Sequence, residues 1–183
     1  MVIKMGSFKD KVVVVTGAGG GLGKAHAIEF AKRGAKVVVN DLGGSDDGRG
    51  KSDMADLVVD EIHSFGGEAI ANKASVADKK GAQSIVDDAV NTYGTLDILV
   101  NNAGIGTLPD VEEEDESGWQ EMLDVNAKSI WLGIKAVIPL MRSNHSGSIV
   151  NVSSIFGASG GFGKSAAYHA SKGVVSAVTR NAA

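Results

Sequence analysis

The chain predicts an α/β fold built on a doubly wound parallel sheet, and three observations carry that prediction. Val12 to Val15 and Val37 to Val39 are short β-branched runs of the kind found in strands buried on both faces. Five glycines, at 17, 19, 20, 21 and 23, lie between the first run and a stretch rich in helix formers. Strand-like and helix-like segments then alternate along the chain, which requires right-handed crossovers and a parallel sheet.

Taken in order, strands are expected over 11–16, 36–40, 68–72, 96–101 and 147–152, with helices near 21–33, 52–65, 78–93 and 117–142. The first helix carries apolar Ala27, Ile28 and Ala31, and a last helix starts near Ser165. Pro139, inside the fourth helical pattern, predicts a kink or an early end. The acidic run from Glu112 to Glu116 precedes that helix, where negative charge suits the positive end of the dipole, and reads as a solvated first turn or loop. Without an internal repeat or linker, residues 1–183 read as one domain.

The glycine loop is the first functional signal. Missing Cβ atoms let a backbone approach a pyrophosphate, and the free N–H groups of a helix N-terminus then face the anion. The pattern GxGxxG fails because Leu22 stands where its last glycine should be. The loop GxxxxGK[ST] fails at Ala18 and Ala25. Thr16 to Gly23 fits T-G-x-x-x-G-x-G. The second valine run ends at Asn40-Asp41, and an acid there can accept hydrogen bonds from the adenosine ribose and repel a 2′-phosphate. No arginine stands at 18 or 42 to clamp such a phosphate, which favours NAD over NADP; Arg49 and Lys51 read as part of a solvated glycine-rich loop.

The second signal is Tyr168 and Lys172, four apart in Tyr-His-Ala-Ser-Lys and so on one face of a helix. A free phenol has a pKa of about 10, and lowering it by three units takes roughly 4 kcal/mol. A unit charge about 4 Å away supplies about that much at an effective dielectric near 20. Such a pair makes a proton-transfer group for neutral pH, although the same spacing also occurs as an ordinary surface pair.

With the loop, Asp41 and the Tyr-Lys pair in hand, the chain resembles the classical short-chain dehydrogenase/reductase family, whose fold is Rossmann-like. Asn101-Asn102-Ala103-Gly104 after a strand, Asn126 in the long helical stretch and Ser153-Ser154 after the fifth strand extend the resemblance over nearly the whole chain. It implies strand order 3-2-1-4-5 and a catalytic set of Asn126, Ser154, Tyr168 and Lys172. Tyr168 would be the general acid/base, and Lys172 would favour its ionised form and bind the nicotinamide ribose. Ser154 would hydrogen-bond the substrate oxygen, and Asn126 would hold a relay water through its backbone. Gly17, Gly21, Leu22 and Gly23 would wrap the pyrophosphate, Asp41 would hold the ribose, and Asn101 would sit near the adenosine side. Ser75-Val76 stands where many members carry an acid before the valine beside the adenine. Ser154 lies fourteen residues before Tyr168, which implies a small insertion around Gly160-Gly161; Ser153 is the second serine candidate, or a strand-end residue with a satisfied hydroxyl.

Composition excludes several classes. Net charge is −4, with no basic surplus for nucleic acid. No apolar run approaches 18 residues, so no membrane span is expected. With no cysteine there is no thiolate chemistry, and the four histidines show no ligand spacing, so no metal is assigned. A cytoplasmic enzyme is expected. The chain stops eleven residues after Lys172, whereas members of the family continue through further strands and a segment that closes the nicotinamide pocket, so it reads as part of a longer enzyme. The resemblance implies an NAD(P)-dependent dehydrogenase acting on the CH–OH group of a small-molecule alcohol or its ketone, in a homo-oligomer, dimer or tetramer. Apolar Ile130, Ile134, Val137 and Val178 suit core or interface equally. Two substrate types stay open. Asn40 to Gly44 resembles the dehydrogenase part of (3R)-hydroxyacyl-CoA enzymes, and Trp119 to Ala183 resembles bacterial dehydrogenases of cyclic alcohols and hydroxysteroids. A catalytically idle dinucleotide-binding module is the alternative.

Overall fold

The computed structural model describes residues 7–43, 53–107, 109–159 and 164–183. Arg49, Lys51, Gly160 and Gly161 lie outside the described residues. Strands β1 (Val12–Thr16), β2 (Lys36–Asn40), β3 (Glu68–Asn72), β4 (Ile98–Asn101) and β5 (Ser148–Asn151) form a parallel sheet in the order β3-β2-β1-β4-β5. The helices are α1 (Gly21–Lys32), α2 (Met54–Ser64), α3 (Lys79–Tyr93), α4 (Glu116–Leu123), α5 (Ser129–Ser143) and α6 (Ala166–Ala182).

The valine runs explain the two layers. Val13, Val15, Val37 and Val39 join the cluster that includes Ala27 and Ala31 of α1 and Val58 and Ile62 of α2. Val12, Val14 and Val38 point the other way, to Ile85 and Ala89 of α3 and Val137 of α5. Side chains alternate across a strand, so an unbroken apolar run is required when both faces are covered. Each fully buried valine contributes about 1.5 kcal/mol or more of transfer free energy. Ile130 and Ile134 pack with Val175 and Val178 between α5 and α6, and Val137 packs on the sheet, so these apolar residues belong to the core. Trp131 of α5 and Val174 of α6 are the exposed ones.

Two expectations need correction. The stretch 117–142 is not one regular helix: α4 and α5 are separated by a π-helical turn, Asp124–Lys128. Pro139 does not end the helix early, since α5 runs on to Ser143. Pro139 and Lys135 are both exposed, so water can take the Lys135 carbonyl that proline leaves without its i+4 donor.

Every strand closes on a polar residue: Thr16, Asn40, Asn72, Asn101 and Asn151. These residues pair along the carboxyl edge of the sheet. Asn40 Nδ2 donates to Asn72 Oδ1 (2.8 Å) and to the Ala74 carbonyl (2.9 Å), and Asn101 Nδ2 donates to Asn151 Oδ1 (2.8 Å). Ligands of doubly wound sheets bind just beyond this edge.

Candidate active site

The site has two parts, one on each side of β1 and β4. In the first, β1 runs into the glycine loop and α1 begins at Gly21. Gly17 takes a φ of +61°, in the left-handed region that favours glycine. Gly23 is fixed by space: a Cβ there would lie 2.1 Å from the Gly17 carbonyl oxygen and 2.5 Å from Asn102 Nδ2. The loop is latched to β4. Thr16 Oγ1 accepts the N–H groups of Asn102 and Ala103, each at 3.0 Å, and Asn102 Nδ2 donates to the Thr16 and Gly17 carbonyls at 2.9 and 3.0 Å. The sequence offered Thr16 and Asn102 as motif letters but gave no reason for them; the latch supplies it.

Asp41 reaches back over this loop. Its Oδ2 accepts the Gly19 N–H and its Oδ1 the Gly43 N–H, both at 2.8 Å. The carboxylate keeps acceptor capacity for two further hydroxyls. Leu22 is 67% exposed at the head of α1, beside Gly21 and Gly23. These residues fit a dinucleotide: a Cβ-free cradle, a helix N-terminus whose N-cap, Gly20, carries no side-chain cap, and an acid one strand away.

The other expected cofactor residues also make contacts within the chain. Asn101 is buried, with its side chain on Asn151 and over Gly133 rather than on the loop. Ser75 Oγ accepts the Ala77 N–H at 3.1 Å, and Val76 packs against the core cluster that holds Ile85 and Val86.

In the second part, Tyr168 and Lys172 lie on α6, with the Lys172 ammonium 5.8 Å from the Tyr168 ring centroid. Lys172 is 4% exposed, and its Nζ donates to the Val152 carbonyl at 3.2 Å. Burial pushes its pKa down from the ordinary lysine value. Asn126 sits in the π-helical turn, completely buried. Its Oδ1 accepts the Ile105 N–H at 2.8 Å, and its Nδ2 donates to the Ile105 carbonyl at 2.9 Å and to Ser171 Oγ at 3.2 Å. Single π turns recur at functional sites because they re-aim the helix backbone. The turn after β4 draws the set together. A Cβ on Gly104 would lie 3.1 Å from Asn126 Oδ1 and 3.4 Å from Lys172 Nζ, and one on Gly106 would lie 3.7 Å from Tyr168 Cε2.

The two serines divide their work. Ser153 Oγ donates to the Lys172 carbonyl at 3.0 Å, so its hydroxyl is satisfied at the strand end. Ser154 Oγ accepts the Phe156 N–H at 3.3 Å and caps a short 3₁₀ turn, Ile155–Gly157; its own hydrogen can still point to a ligand. Phe156 meets Tyr168 edge-on at 6.0 Å and His169 at 4.8 Å, a wall against Tyr168 that the sequence did not reveal.

The acidic run is also more than a solvated turn. Asp115 Oδ1 caps α4 through the Gly118 N–H at 2.7 Å, which holds its carboxyl below the usual range. Glu114, just before the α4 cap, turns to α6 instead: its Oε2 accepts the Ala167 N–H at the head of α6 at 3.0 Å.

The short chain dehydrogenase family matches residues 11–183. Peroxisomal multifunctional enzyme A of Dictyostelium discoideum is 50% identical over 161 residues, which is 86% of this chain and 35% of that enzyme. Cyclohexanol dehydrogenase of an Acinetobacter species is 37% identical over 182 residues, covering 99% of this chain and 69% of its own length. Among solved structures, a 7α-hydroxysteroid dehydrogenase complexed with NADH and 7-oxo glycochenodeoxycholic acid superposes with a TM-score of 0.87 at 32% identity, covering 96% of this chain and 65% of that one. The chain thus spans about a third of the length of the multifunctional relative.

Proposed function

The chain belongs to the short-chain dehydrogenase family, and from that premise we propose that it is the cofactor-binding and proton-transfer part of an NAD-dependent oxidoreductase interconverting a secondary alcohol and its ketone. The observation that carries this reading is the convergence of Tyr168, Lys172 and Asn126 on the turn Gly104–Gly106 after β4, while that strand's end also holds the glycine loop through Asn102. One strand end therefore aligns the dinucleotide cradle with the proton-transfer group.

A bound nicotinamide dinucleotide supplies the hydride acceptor for alcohol oxidation and the donor for the reverse reaction. The chain's own residues do the rest. Tyr168 Oη takes the hydroxyl proton of the alcohol, or returns it to the carbonyl oxygen. The Lys172 ammonium beside the ring would hold the nicotinamide ribose and support the proton transfer at Tyr168. Ser154 Oγ donates to the substrate oxygen. The Asn126 side chain ties the Ile105 N–H and carbonyl, which fixes the turn on which these groups meet. Asp41 would accept the ribose hydroxyls and repel a 2′-phosphate, hence NAD rather than NADP.

Substrate type follows the relatives only coarsely. Hydroxyacyl-CoA compounds and cyclic or steroidal secondary alcohols both suit a Tyr168 base. For assembly, we infer a homo-oligomer whose subunit contact would use the outer faces of α5 and α6, where Trp131 and Val174 are exposed. The cytoplasmic placement competes with the peroxisome, where the Dictyostelium relative's name puts it, and a fluorescent fusion separates the two.

The deciding experiment titrates the protein with NADH and NADPH by cofactor fluorescence and then assays cyclohexanol and a 3-hydroxyacyl-CoA as substrates. Tight NADH binding, weak NADPH binding and turnover lost in Tyr168→Phe are expected. Normal turnover in Tyr168→Phe would sink Tyr168 as the base. NADH binding with no turnover in a full-length parent would favour the idle module.

A further inference from the structure

Within the acidic run, Glu112, Glu113, Asp115 and Glu116 are exposed, whereas Glu114 is half-buried. Its carboxylate lies against the head of α6. Oε2 accepts the Ala167 N–H at 3.0 Å, and Oε1 accepts the Ser165 hydroxyl at 3.4 Å. The same Ser165 Oγ accepts the Tyr168 N–H at 3.2 Å, so Glu114 stands one hydroxyl away from the backbone of Tyr168. Ser165 itself is buried and holds a φ of +74°, a conformation a β-substituted residue adopts only when its surroundings impose it. Those surroundings are the segment before α4: the Pro109 carbonyl accepts the Ser165 N–H at 2.8 Å, and Asp110 pairs with Lys164 at 2.8 Å.

We propose that Glu114 is a positioning residue that clamps the 109–115 segment onto the N-terminus of α6 and so fixes where Tyr168 stands. The clamp satisfies two amide donors that α6 cannot satisfy itself, that of Ala167 directly and that of Tyr168 through Ser165. A negative charge there also suits the positive end of the helix dipole. The geometry of the clamp is independent of the reaction, but its effect on turnover rests on the dehydrogenase reading given above.

The test compares Glu114→Ala, Glu114→Gln and, as a control, the exposed Glu112→Ala. Amide exchange of Ala167 and Tyr168 is followed by NMR, and kcat and KM for NAD by steady-state assay. Glu114→Ala is expected to speed exchange at both amides about tenfold. It should lower kcat about fivefold, the effect of losing one helix cap, with KM for NAD unchanged. Glu114→Gln keeps an acceptor for the Ala167 N–H and should recover most of both losses. Glu112→Ala should change neither. Unchanged exchange in Glu114→Ala overturns the clamp, and faster exchange with wild-type kcat overturns the positioning role. A wild-type protein that oxidises no alcohol sinks the dehydrogenase reading instead, and the exchange measurement still decides the clamp.

Discussion

The glycine loop and the head of α6 lie on the same edge of one sheet but are built by different means. The loop is shaped by its backbone, with a left-handed φ at Gly17 and a contact at Gly23 that leaves no room for a side chain; the adjoining Thr16 and Asn102 side chains then latch its amides and carbonyls. The head of α6 is held by side chains arriving from distant segments: Asn126 from the π-helical turn, Glu114 from the segment before α4, and Phe156 from the turn after β5. Backbone constraints are all-or-none, because a misplaced Cβ has nowhere to go. Side-chain constraints are graded, because each supporting contact can be lost separately.

Breaking the backbone constraint should have the largest effect. Gly23→Ala places a methyl group 2.1 Å from a carbonyl oxygen that belongs to the loop itself. Relief requires moving the loop or α1, at a cost of about 3 kcal/mol, at the upper end for overpacking. Urea denaturation should show a lowered midpoint, and the NADH titration should show cofactor binding lost. Binding preserved in Gly23→Ala would mean that the loop is plastic and that the comparison fails on this side.

Next come the buried polar partners, one from each region. Thr16→Val removes the oxygen that accepts the Asn102 and Ala103 amides, and Asn126→Leu removes both partners of the Ile105 backbone. Each orphans two main-chain groups, and each should cost about 2–6 kcal/mol at about 1–3 kcal/mol per unsatisfied group. The readouts should separate the regions: cofactor affinity falls in Thr16→Val, whereas Asn126→Leu lowers turnover more than affinity. Equal losses of affinity in both variants would show that the turn after β4 couples the regions too tightly to be treated as two.

The same contrast explains what the sequence made legible. Val12–Val15 and Val37–Val39 announce a sheet buried on both faces, because side chains alternate and both sets must be apolar. The glycine loop is equally open to reading, since at Gly17, Gly19 and Gly23 a side chain would collide with its neighbours. Tyr168 and Lys172 were legible as candidates by their spacing of four, and Ser154 by its place after the fifth strand. Their supports were not. Glu114 sits among five consecutive acids, and no local pattern distinguishes the one that turns toward α6, 53 residues on in sequence. The π-helical turn is invisible for a similar reason: no local pattern in Asp124–Lys128 separates a π turn from the helix read over 117–142. Asn101 carries a task that its motif letter did not announce. The resemblance implies a place near the adenosine side, and the fold adds a side-chain hydrogen bond from Asn101 to Asn151.

A gentler perturbation is the charge of Lys172. Burial lowers its pKa, so the ammonium opposes folding wherever it stays charged in both states. At neutral pH that penalty is present. As pH rises from the depressed folded value toward the unfolded one near 10.5, the folded lysine loses its proton first and the penalty fades. The stability of the wild type relative to Lys172→Met should therefore rise with pH across that window, as read by urea denaturation at several pH values. A difference independent of pH would mean that Lys172 is effectively solvated, and the catalytic region would lose its buried charge.

The smallest effect is spectroscopic. The chain has two tyrosines, so Tyr168→Phe leaves Tyr93 alone. Tyr93 lies at the end of α3, far in sequence from both regions, and burial followed by the charge of Glu68 pushes its pKa up to about 12. In the Tyr168→Phe protein, phenolate absorbance should accordingly develop near 12 rather than near 10. Because Tyr93 stays protonated in the folded state while the unfolded chain ionises, stability should fall between those two values, and below about 10 Tyr93 should leave stability unchanged. The Tyr93 step is then a reference signal on α3. It tests whether the head of α6 is local in its action, because Glu114→Ala should leave the Tyr93 step in place. Movement of the Tyr93 step would mean that the clamp is felt across the sheet, and that the head of α6 is as all-or-none as the glycine loop.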